Sequence, residues 1–63
     1  MRTVAQAWAD AKTRTGRTDL LVTVKQGQYR LKSITFDAHG HSKTTPITDF
    51  MTPADMVRYL DSL

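Results

Sequence analysis

The chain has no cysteine, no glutamate and no long apolar run. Without cysteine there is no disulfide and no thiolate metal site, and small secreted domains usually depend on one or the other. The expectation is therefore a cytoplasmic protein held by packing alone or by a partner. No stretch approaches the roughly 20 apolar residues that a membrane helix needs. Before Leu20 the large apolar groups are Val4 and Trp8, too few for a signal peptide, so no membrane contact is expected. Catalytic patterns are also missing. There is no cysteine nucleophile and no glycine-rich phosphate loop, and Ser33, Ser42 and Ser62 have no base partner with an orienting acid. Sixty-three residues amount to a single domain, 1–63, whose core is thin. A chain this short buries only about 60% of the surface its unfolded form exposes, which leaves little room for a pocket. A non-enzymatic protein without cofactor, metal or small-molecule substrate is expected.

What is present is a set of strong local signals. Thr3-Val4-Ala5-Gln6 fits a capping box, and Val4, Ala7, Trp8 and Ala11 follow at helical spacing. Gly16 is placed to stop that helix, so residues 4–15 are expected to be helical, with Lys12 and Arg14 in the last turn. A second helix starts at Thr52-Pro53-Ala54-Asp55. Thr52 is the cap, Pro53 occupies the position where a missing N–H costs nothing, and Asp55 suits the positive end of the dipole. Met51 and Met56 have the spacing of a hydrophobic staple. Met56, Val57, Tyr59, Leu60 and Leu63 share one side of this helix, and the chain reads as a finished domain.

Between the helices the period changes to two. Leu20, Val22 and Val24 alternate with Leu21, Thr23 and Lys25. Gln26-Gly27 suits a two-residue turn, which would pair Val24 with Tyr29 and Val22 with Leu31 on one face. The other face would then carry Thr23, Lys25, Gln28, Arg30 and Lys32. Ile34 and Phe36 fall on the wrong parity for the core. Either a bulge near Lys32-Ser33 turns them inward, or they project outward and need a cover. Asp37 to Ser42 is rich in turn residues, and Lys43 to Phe50 suits a short third strand that Pro46 confines to an edge. The expected fold is α+β in the order α-β-β-(β)-α. It is an antiparallel meander with both helices on one face, with Trp8 and Val4 supplied to the core by the first.

That order is also the order of the double-stranded-RNA-binding domain. The second helix of that family opens on a lysine-rich segment that meets phosphates. Here the matching position reads Thr52-Pro53-Ala54-Asp55, with an acid where cations are required, so membership is rejected.

Charge is uneven. Residues 1–18 carry Arg2, Lys12, Arg14 and Arg17 against Asp10, whereas residues 44–63 carry Arg58 against Asp49, Asp55 and Asp61. A basic front and an acidic rear can steer an anionic partner or a second copy. Two surfaces follow. The first is the edge of the initial strand with Leu21, Thr23, Ile34 and Phe36. It carries no proline and only a terminal lysine, and it suits a protein partner or a homodimer. The second, an alternative, is a nucleic-acid surface formed by Lys12, Arg14 and Arg17 at the end of the first helix with Lys25, Arg30 and Lys32 on the sheet. Its weakness is the shortage of stacking aromatics, for which only an outward Phe36 qualifies. His39-Gly40-His41 with Asp37 reads as an exposed loop, because metal sites need three or four convergent ligands. The expectation is an interaction or self-associating module, of a size that suits a phage- or plasmid-encoded accessory protein.

Overall fold

In a computed structural model, which describes residues 2–63, five elements follow one another. They are helix α1 (Val4–Thr15), strands β1 (Leu20–Lys25), β2 (Gln28–Phe36) and β3 (Ser42–Pro46), and helix α2 (Pro53–Asp61). The strands form one antiparallel meander in the order β1-β2-β3, and both helices pack on one face of it.

The helix ends are built from the residues that announce them. Thr3 Oγ1 accepts the Gln6 N–H at 3.1 Å and Gln6 Oε1 accepts the Thr3 N–H at 2.9 Å, a reciprocal capping box. Gly16, at φ 70°, ends α1 in the left-handed region. Thr52 Oγ1 accepts the Asp55 N–H at 3.2 Å, with Pro53 as the first residue of α2. The far end of α2 is closed by α1. Arg14 donates to the main-chain oxygens of Leu60 at 2.9 Å and Leu63 at 2.6 Å, at the helix end where carbonyls lack regular intrahelical partners.

Gln26 and Gly27 both have positive φ, 53° and 76°, the signature of the hairpin turn whose twist matches its strands. The turn sets the β1–β2 register, from Lys25↔Gln28 through Val22↔Leu31 to Leu20↔Ser33. β2 is regular along its whole length. Lys32 lies between Leu21 and Pro46, and Ser33 between Leu20 and Thr45. There is no bulge at Lys32-Ser33, so Ile34 and Phe36 point away from the helices. Ser33 takes the helix-side position and donates its hydroxyl to Asp19 Oδ2 at 2.6 Å. The irregularity falls after β3 instead. The Leu31 carbonyl accepts from both Ile47 and Thr48, and Tyr29 and Met51 then exchange two bonds of 2.8 Å. Pro46 stands where its nitrogen faces away from β2, so the missing donor costs no ladder bond.

The core consists of Val4, Ala7 and Ala11 from α1, Leu20 and Leu31 from the sheet, and Met56 and Leu60 from α2. Trp8 is at its rim, half-buried, with its indole N–H donating to the Leu20 carbonyl at 3.0 Å. The alanines, not the tryptophan, occupy the closest approach, because small side chains let two helices share so narrow a sheet. The radius of gyration, 12.1 Å, exceeds the about 11 Å of a compact domain of this length. The extents of 41 × 27 × 14 Å show why: the hairpins run past the helix layer and leave Val24 62% exposed.

Candidate interaction surface

With the helices on one face, the opposite face of the sheet stays open. Strand alternation places Leu21, Thr23 and Lys25 of β1 on it, next to Gln28, Arg30, Lys32, Ile34 and Phe36 of β2. The face is divided along its length. Toward the Gln26-Gly27 turn it is cationic, with Lys25 and Arg30. Toward the Asp37–His41 loop it is apolar, with Leu21, Ile34 and Phe36, and Lys32 stands between the two. Phe36 is 69% exposed, the most exposed large apolar side chain among the described residues. Phe50 comes round from the irregular segment to lie under the Arg30 guanidinium, 4.4 Å from ring to charge. Arg30 also approaches Asp49 at 3.5 Å, while its Nε is buried without an acceptor. Phe50 has no periodic pattern in sequence that would have placed it here; the slip after β3 does so.

The β1 edge is the second feature. Asp19 accepts from Ile34 N–H at 2.9 Å, which sets the phase of the ladder. Lys25, Thr23 and Leu21 therefore bond inward to β2, and the N–H and C=O groups of Val24 and Val22 point away from it. The expected edge residues Leu21 and Thr23 thus belong to the open face by their side chains, and the unpaired backbone belongs to Val22 and Val24. This could have been read from the turn, since Lys25 and Gln28 flank it as a bonded pair. Helix α1 meets the edge only at its start, where Trp8 occupies the Leu20 oxygen.

The six cations of the nucleic-acid surface do not converge. Lys12, Arg14 and Arg17 belong to the helix side, Lys25, Arg30 and Lys32 to the open face. Arg14 is engaged with Leu60, Leu63 and, at 2.6 Å, Asp10. Arg17 grips Asp19 through two bonds of 3.1 and 2.8 Å. Lys12 sits 3.8 Å above the Trp8 ring. These contacts shape the acids. The Arg17 guanidinium and then the Ser33 hydroxyl hold Asp19 well below the usual carboxylate range. Arg14 lowers Asp10, with Arg2 adding to it. On the open face Lys25 and Lys32 have no acid within ion-pair reach among the described residues.

Two other places were candidates by residue type. In the Asp37–His41 loop, Asp37 Oδ1 accepts the N–H groups of His39 and His41, both at 2.9 Å, and thereby shapes the turn. On the helix side an open groove of about 880 Å³ runs between the starts of α1 and α2, over Val4, Tyr29, Pro53 and Val57. Its threonine hydroxyls, Thr3 and Thr52, are already helix caps, and no histidine lines it to serve a nucleophile as base.

No family model, no curated protein and no solved structure matches the chain. The functional reading rests on its own geometry.

Proposed function

We propose that the protein is a non-catalytic interaction module that binds a protein partner, or itself, through the β1 edge and the adjoining open face. The carrying observation is the asymmetry of the two sheet edges. β3 presents Ser42, Thr44 and Pro46 outward, and Pro46 has no N–H to offer. β1 presents the outward-facing amides of Val22 and Val24, with no proline or bulge, and Trp8 reaches it only at Leu20. The apolar half of the open face lies beside that edge and gives an added strand side chains to pack against. Capture of partners from a lysate tests the reading when it is run on matched variants. Ligands held through this surface should be lost with Ile34→Lys and with Val24→Pro, and kept with Lys43→Ala, which is on the other face of β3. Binding that ignores the first two substitutions sinks the reading.

A second reading, binding of single-stranded nucleic acid, gains from one observation. The regular register puts the exposed Phe36 on the same face as Lys25, Arg30 and Lys32. Phosphates along the cations and a base on Phe36 is the usual division of labour for such platforms. Binding of a short oligonucleotide that weakens with salt and with Phe36→Ser would support it. No binding at low salt would remove it.

A further inference from the structure

We infer that the occupant of the β1 edge is a second copy of the same strand, paired antiparallel about a twofold axis at Thr23. The inference rests on the interaction reading and names its partner.

The argument is one of register. Only residues whose amides point outward can make the bonded pairs of a new antiparallel ladder, and on this edge those are Leu20, Val22 and Val24. A twofold axis between two copies can be centred at several positions, and every placement at Leu20, Leu21 or Val22 draws on Leu20. Centred on Val22, it requires Leu20 of each copy to bond with Val24 of the other, but the Leu20 oxygen already holds the Trp8 indole N–H, and that ring stands at the edge. Centred on Val24, it sets Val22 against the turn residue Gln26, whose φ of 53° is not that of a strand. Centred on Thr23, it bonds Val22 of each copy to Val24 of the other through four N–H···O contacts. Leu20 then faces the partner's turn and is asked for no bond. Trp8 thus selects the register by blocking one end of the edge.

The side chains agree with that placement. Directly opposed residues share a face. On the helix side, two copies of Val22 and Val24 form one apolar cluster, which covers the Val24 side chain that the helix layer leaves 62% exposed. On the open side, Thr23 meets its own copy in a close pair, and Leu21 lies opposite the stem of the partner's Lys25. No like charges oppose each other across the new ladder. The contact is isologous, as a closed dimer requires. Its product is a six-stranded sheet with all four helices on one side and the two open faces joined into one. The interface is small, and association in the micromolar range or weaker is the expectation.

Sedimentation equilibrium from micromolar to millimolar concentration tests this, with the circular dichroism of each variant as the check on folding. Wild-type protein should pass from monomer to dimer and no further. Val24→Pro removes an outward N–H without touching the β1–β2 ladder, and should stay monomeric. Thr23→Lys and Thr23→Glu each place like charges face to face and should weaken self-association about tenfold or more. Mixed one to one, they should form a heterodimer about as tight as the wild type, because the opposed charges now differ in sign. A wild-type chain that remains monomeric at millimolar concentration overturns the inference; edge-dependent capture of another protein, in the experiment of the preceding subsection, would still uphold the interaction reading. Self-association that survives Val24→Pro, or a Thr23 mixture no tighter than either variant alone, overturns it as well.

Discussion

At the scale of single residues, the chain places a few side chains under unusual demand. Gln26 is the clearest. It holds φ 53° in the hairpin turn, where asparagine or glycine is the natural occupant. A left-handed conformation costs an ordinary L-residue about 1–2 kcal/mol, and asparagine recovers part of that through its short polar side chain. Gln26→Asn should therefore raise stability by about 0.5–1 kcal/mol. A denaturant midpoint that moves up with an unchanged slope would bear this out, and a midpoint that falls would mean the turn differs from the one described. Asp19 shows the opposite case, a residue whose role cannot be read from its neighbours in sequence. Arg17 is visible as a partner two residues away, but Ser33 comes from the adjacent strand and reaches Asp19 only because β2 runs without a bulge.

At the scale of elements, the two helices complete each other. Both open on caps that the sequence displays, Thr3 with Gln6 and Thr52 with Pro53. The end of α2 carries no such signal, and Arg14 of α1 supplies it across the helix pair. In sequence Arg14 reads as a last-turn cation suited to its own dipole or to phosphate, since nothing local reveals that two distant carbonyls lie within its reach. Arg14→Ala should cost about 1–2 kcal/mol, mainly through those two bonds. Arg14→Lys should recover little, because a single ammonium cannot span two acceptors as a guanidinium does. Thermal unfolding of the three proteins checks the order, and a lysine variant equal to wild type would show that charge alone matters there. The strands show the same division. The β1–β2 register follows from the turn and the alternation on both sides of it. The phase of Ile34 and Phe36 was open, because a bulge and a regular strand are both compatible with the string of residues; pairing with β3 on the other side decided it.

At the scale of the whole molecule, the ion pairs made by Asp10 and Asp19 make stability depend on acid. Asp19 and Asp10 both have folded pKa values below the ordinary 3.8. Groups lowered in this way stabilise the fold fully above about pH 4, and the contribution is lost as pH falls through their folded values. The denaturant midpoint should therefore drop between about pH 4 and pH 2, and Asp19→Asn should flatten that decline. A variant with an acid limb as steep as the wild type would exclude the Arg17–Asp19–Ser33 cluster as its source. No helix among the described residues is long and apolar enough to cross a membrane. Sequence alone determined the two helices with their N-terminal caps, the first hairpin and the α+β class, because each depends on interactions within a few residues or on a simple period; the third strand, expected within Lys43 to Phe50, forms over Ser42–Pro46 and was fixed only by its pairing with β2. Tertiary structure alone decided that alanines rather than Trp8 line the closest helix approach, that Arg14 is taken up by the Leu60 and Leu63 carbonyls, and that one edge and one face of the sheet stay open. Those outcomes depend on contacts between segments far apart in the chain, and a contact of that kind leaves no local mark until the chain has closed on itself.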